Sequence, residues 1–198
     1  AAQSRRTWYW CDWCDSDDVT PAASATLLPG AAGSDERGTM ARLAVPVQLR
    51  WGDVDAYQHV NNAAMLQLLE EARIEAFWRR PDDTSEGAWP TAVLDGGPDA
   101  ELATFVARQE IEYLVPLEYR RTPVIVDLWI ARLGGASIDV CYEVRGEGPN
   151  PPVYARSTAT IVLVVAATGR PRRIADAERA AWEPYLEAPP AFRRRRAE

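Results

Sequence analysis

The stretch Arg50-Trp51-Gly52-Asp53-Val54-Asp55-Ala56-Tyr57-Gln58-His59-Val60-Asn61-Asn62 runs without a break into a segment of helical periodicity, Ala63 to Arg80. It gathers two carboxylates, the only histidine of the chain and two asparagines at the mouth of that helix. The first amides of a helix have no intrahelical partner and carry partial positive charge, so an acid placed there stands beside a binding site for a polarised carbonyl. Chemistry is therefore expected at this junction.

Outward from the junction, the helix is legible in Met65, Leu68, Leu69, Ala72 and Ala76, which recur at helical spacing. Gln67, Glu70, Glu71, Arg73 and Glu75 fill the opposite face. Before the junction, Val45 to Arg50 reads as a strand. After it, Pro81, the polar run Asp82 to Gly87 and the turn Gly96-Gly97-Pro98 end the helix, and the pattern becomes extended. Ala103 to Val115 is β-prone, while Pro123 to Leu133 and Ser137 to Arg145 alternate apolar and polar residues. Gly134-Gly135 joins those two as a hairpin. A proline- and glycine-rich loop, Gly146 to Pro152, leads to a further strand over Val153 to Ala167, whose Ile161 to Val165 run predicts cover on both faces. Ala175 to Glu187 reads as a short terminal helix that packs Trp182 and Leu186.

One strand, one long helix and four more strands make an α+β order, and an antiparallel sheet of five to six strands curled around the helix buries it most economically. Such a sheet leaves its outer face and edges bare, so association of copies through the sheet is expected. The domain spans residues 40–188, starting naturally at Met40. Residues 1–39 lack sustained periodicity and read as a disordered extension, and residues 189–198 as a solvated tail rich in proline and arginine.

Bulk composition excludes several classes. The 198 residues suit one domain with tails. The net charge is −7, all 22 basic residues being arginine, which argues against nucleic acid as a partner. No apolar run is long enough to cross a bilayer, and Ser4-Arg5-Arg6-Thr7-Trp8 is followed by aspartates rather than by the apolar stretch of an export signal. Three cysteines, Cys11, Cys14 and Cys141, form no disulfide framework, and Cys11-x-x-Cys14 has no second close pair for zinc. A reducing, cytoplasmic location without membrane attachment is expected.

The motif Arg50-Trp51-Gly52-Asp53-x-Asp55 with His59-Val60-Asn61-Asn62 resembles that of hotdog-fold acyl-CoA thioesterases of the 4-hydroxybenzoyl-CoA thioesterase-like family. Corroborating pieces are Leu69 to Arg73, Ile111-Glu112-Tyr113-Leu114-x-Pro116-Leu117, Tyr142-Glu143-Val144 and Ala166-x-Thr168-Gly169-Arg170-Pro171-Arg172. The resemblance implies that Asp55 is the catalytic carboxylate and that a helix-opening amide near Asn62 holds the thioester oxygen. Asp53, His59, Val60 and Asn61 become loop and oxyanion support, with Met65 and Leu69 lining an acyl pocket. It also implies a homodimer or homotetramer with active sites between subunits. Gln58 departs from the glycine common among relatives, and Met65 from an aromatic residue.

Residue chemistry is compatible with this. A thioester is already electrophilic and has a good leaving group, so an oriented carboxylate and an oxyanion donor suffice, without metal or organic cofactor. Asp55 could act as nucleophile or as general base. His59 lacks the partners of a metal cluster or a serine relay. Arg120, Arg121 and Arg132 are available to coenzyme A phosphates but read more simply as solvated residues. Two other functions stay open: an acyl-thioester hydratase or dehydratase with His59 as base, and an acyl-CoA-binding module without turnover.

Overall fold

The computed structural model describes residues 41–79, 89–97 and 99–193. The N-terminal extension with Cys11 and Cys14, the polar run after Pro81 and Arg194 to Arg196 lie outside the described residues.

Five strands form one antiparallel sheet: β1 (Leu43–Val47), β2 (Leu102–Tyr113), β3 (Val124–Leu133), β4 (Ser137–Arg145) and β5 (Val153–Val165). Their spatial order is β1-β3-β4-β5-β2, so β1 and β2 are the edges. Helix α1 (Asn62–Phe77) lies on the inner face, and a short helix α2 (Asp176–Trp182) passes into a 3₁₀ turn, Glu183–Tyr185. The α+β sheet-on-helix arrangement expected from the sequence is observed, with five strands.

Period-two alternation sets the inner face. Val124, Val126, Leu128 and Ile130 of β3 and Ile138, Val140, Tyr142 and Val144 of β4 join Leu68, Leu69 and Ala72 of α1 in one core. β3 and β4 pair in the register Leu128↔Tyr142, turning through Gly134. In β5, Ile161 and Leu163 are buried while Val162 and Val165 are only partly covered, so the predicted two-sided cover holds for part of that run.

The first strand lies slightly earlier than the sequence reading, at Leu43–Val47, and two helix ends and one residue also differ. Helix α1 stops at Phe77 because Trp78 turns extended and the chain pairs sideways: the Leu94 amide donates to the Phe77 carbonyl at 3.0 Å, and the Arg79 amide to the Leu94 carbonyl at 2.8 Å. The terminal helix ends at Trp182 because Pro184 has no amide hydrogen for a regular continuation. Arg73, assigned to the polar face, is buried. It donates to Glu70 at 3.0 Å and to the Tyr142 hydroxyl at 3.4 Å. A sheet that curls around a helix covers more than one stripe of it, and a long side chain can bury its stem while its head finds polar partners.

The outer face is not bare. Residues after Tyr185 cross it: the Glu187 amide donates to Ile130, the Trp129 indole donates to the Ala188 carbonyl at 2.9 Å, and Arg156 reaches the Ala191 carbonyl at 3.4 Å. Arg42 stacks on the Trp129 ring at 3.8 Å, donates to Glu187 at 2.7 Å through Nε, and pairs with Glu143 at 2.9 Å. Glu143 also takes Arg156, and Asp127 takes Arg145. Ion pairs shared in a network hold better than isolated ones on open surface. Beneath this layer Cys141 is buried, and burial pushes its thiol up to about 11.

Among the described residues, no helix is long and apolar enough to cross a membrane.

Candidate active site

The junction folds as a closed loop between β1 and α1. A single 3₁₀ turn, Trp51–Asp53, begins it. Asp53 is buried because both ends of the loop depend on it: its carboxylate accepts from the Arg50 amide at 2.7 Å and from Arg50 Nε at 3.1 Å, and its carbonyl accepts from the Asn61 amide at 2.8 Å. A short acid that satisfies neighbouring backbone amides fixes such a turn.

Asp55 occupies the next turn. Its Oδ1 accepts from the Tyr57 amide at 2.8 Å and the His59 amide at 3.3 Å. Its own amide donates to the His59 carbonyl at 2.9 Å, and its carbonyl accepts from the Gln58 amide at 3.0 Å. Oδ2 has no hydrogen-bond partner among the described residues. The carboxylate is thus oriented through one oxygen and left available through the other.

Gln58 closes that turn with φ of 65°, a left-handed conformation that costs an L-residue roughly 1–2 kcal/mol. The backbone shape glycine would favour is kept here by a residue with a side chain. Gln58→Gly is therefore expected to raise stability by about 0.5–1 kcal/mol, the strain removed exceeding the added freedom of the unfolded chain. Urea unfolding measures this, and a destabilised variant would contradict it.

His59 and Val60 are pinned on both sides. Val60 bridges Val54, His59 bridges Glu118, and the Val60 amide donates to the Leu117 carbonyl at 2.7 Å. The hydrogen bonds between His59 and Asp55 run through the histidine backbone. Asn61 caps α1, its side chain accepting from the Ala63 amide at 2.8 Å while its carbonyl accepts from Met65. With the Ala63 and Met65 amides so engaged, those of Asn62 and Ala64 have no hydrogen-bond partner among the described residues. These are the donors that a helix opening offers to an anion.

Asp55 lines a cleft of about 420 Å³ with Trp51, Val54, Tyr57, Gln58, Glu118 and Tyr119. Trp51 and Tyr57 are 77% and 81% exposed at its mouth, and Trp51 meets Tyr119 edge to face at 5.1 Å. Met65 and Leu69 are instead buried in the core and do not line this cleft. Of the arginines considered for phosphates, Arg132 pairs with Asp139, Arg120 donates to the Tyr154 hydroxyl, and Arg121 is exposed. Among the described residues no group of three or more histidine, cysteine or acidic side chains is placed to hold a metal.

Three contributors escaped the sequence reading. Glu118 and Tyr119, which follow β2, form a cleft wall, and Tyr113 of β2 donates its hydroxyl to the Asn62 carbonyl at 3.1 Å. Each stands far along the chain from the motif, and a strand pattern says nothing of which loop it meets.

A sheet wrapped on one helix is also the fold of solved structures described as thioesterases. A predicted thioesterase from Bacillus stearothermophilus superposes with a TM-score of 0.58 at 24% identity, covering 76% of this chain and 100% of that one. A thioesterase superfamily protein from Jannaschia sp. CCS1 gives 0.56 at 23%, covering 74% and 94%. A thioesterase from Thermus thermophilus, solved with coenzyme A and zinc, gives 0.52 at 29%, covering 71% and 91%. No curated protein matches the chain. The model of the thioesterase-like superfamily matches residues 49–188, and the chain belongs to that family. Its fold is the hotdog fold.

Proposed function

We propose that the protein hydrolyses an acyl-CoA thioester to a free carboxylic acid and coenzyme A at the Asp55 cleft. The observation that carries this reading is the Asp55 carboxylate, oriented by the Tyr57 and His59 amides and left with one available oxygen. The amide of Asn62, unengaged at the helix opening, serves as oxyanion donor. As the tetrahedral intermediate forms, negative charge moves onto the thioester oxygen, where a fixed amide stabilises it without reorganisation. The carbon–sulfur bond then breaks and coenzyme A leaves as thiolate, giving the free acid directly where a water deprotonated by Asp55 has attacked, or, where the carboxylate itself has attacked, a mixed anhydride that water then hydrolyses. Asp53, His59, Val60 and Asn61 hold the loop. Membership of the thioesterase-like superfamily and the coenzyme A-bound Thermus relative support coenzyme A as the carrier.

The test is release of thiol across a panel of acyl-CoA chain lengths and aryl groups. Turnover of at least one member is the expected result. Addition of water to an enoyl thioester without thiol release would replace this reading with hydration, and tight binding without turnover would replace it with a binding module.

A second copy of the chain completes the working unit. The ion pairs and the C-terminal crossing cover the outer face, which moves the need for a partner to the sheet edge. β1 is short and contains Pro46, a poor edge for pairing, whereas β2 is long and exposes Phe105 and Val106. Homodimerisation along β2 follows. Phe105→Glu is expected to shift the particle to monomer mass in light scattering. A wild type already monomeric at micromolar concentration would rule this out.

A further inference from the structure

The opening of α1 is held from two sides, and one of the holds comes from the opposite end of the sheet. On the loop side, the Asn61 amide donates to Asp53 and the Asn61 carbonyl accepts from Met65, which fixes the peptide that carries the Asn62 amide. On the far side, the Tyr113 hydroxyl donates to the Asn62 carbonyl at 3.1 Å. That bond fixes the next peptide plane, so Asn62 is clamped on both sides of its Cα. Desolvation raises the Tyr113 hydroxyl above its ordinary value. Its neighbour Ile111 reaches the core, whereas the Tyr113 side chain is half-exposed at the edge strand with its hydroxyl on the helix opening.

We propose that Tyr113 is a positioning residue for thioester hydrolysis, its hydroxyl clamping the first turn of α1 so that the Asn62 amide stays directed at the thioester oxygen. The role rests on the hydrolytic reading given above. Tyr113 touches the helix backbone rather than the substrate, so its loss weakens stabilisation of the developing oxyanion and leaves ground-state binding alone.

The experiment compares the wild type with Tyr113→Phe on the best acyl-CoA of the panel. A net hydrogen-bond contribution of ordinary size converts to a fall in kcat of roughly 3- to 10-fold. The Kd of an acyl-CoA thioether, in which a methylene replaces the carbonyl, is expected to stay within twofold, and Tm to fall by no more than a few degrees. An unchanged kcat overturns the role, as does a loss in which kcat, thioether affinity and Tm fall together, since that marks a merely structural tyrosine. Absence of thiol release by the wild type sinks the hydrolytic reading and this role with it, so the two failures are distinguishable.

Discussion

Asp55→Asn is expected to lower kcat for acyl-CoA hydrolysis by roughly 100- to 10,000-fold, the range over which a positioned acid or base acts. The isosteric amide keeps an oxygen able to accept from the Tyr57 and His59 amides, which orient the wild-type side chain through Oδ1. The loop should therefore survive, with Tm within a degree or two of wild type. What the substitution removes is negative charge at Oδ2. Whether that oxygen attacks the acyl carbon to give a mixed anhydride or takes a proton from the attacking water, the charge is required, so both routes predict the same loss. Steady-state release of coenzyme A measures it. Turnover within threefold of wild type would remove Asp55 from the mechanism. Asp53→Asn should behave differently, because Asp53 is buried and tied to Arg50 and to the helix cap. Its replacement costs stability before it costs chemistry.

The largest expected effect on stability lies at the other end of the helix. Trp182 of α2 is fully buried, meets Phe77 edge to face at 5.8 Å, and donates its indole N–H to the Thr91 carbonyl at 3.1 Å. Trp182→Ala is expected to cost about 3–5 kcal/mol, through lost burial and an unfilled cavity. For a domain of this size that corresponds to a fall in Tm of roughly 6–20 °C. Trp182→Phe keeps much of the packing and removes one of two donors to the Thr91 carbonyl, the Val93 amide remaining at 2.9 Å, a smaller cost of about 0.5–1.5 kcal/mol. Neither change touches the Asp55 cleft, so kcat measured well below Tm should be retained. Calorimetry separates the two variants, and a cost for Trp182→Ala below about 1 kcal/mol would mean that α2 is not part of the core.

Legibility of the sequence followed the range of the forces involved. The Ser137–Arg145 strand, the Gly134-Gly135 hairpin and the apolar stripe of α1 could be read directly, because side-chain alternation, turn preference and helical spacing are local properties. Element ends were less legible. Trp78 leaves the helix because Leu94 pairs with it, and that partner is remote in sequence. Arg73 seemed exposed because its own segment is polar on that side, yet Tyr142, contributed by β4, lies opposite it.

At the candidate site the same division applies. The crowded motif Arg50 to Asn62, with its acids, histidine and asparagines before an amphipathic helix, determined by itself where chemistry is expected and which carboxylate to test, since all of those groups are neighbours in the chain. The left-handed turn at Gln58, the single free oxygen of Asp55, the cleft wall of Glu118 and Tyr119 and the Tyr113 clamp on Asn62 were decided only by tertiary structure. The cleft wall and the clamp depend on segments that meet the loop through sheet order, and no local propensity encodes a distance between residues so far apart along the chain.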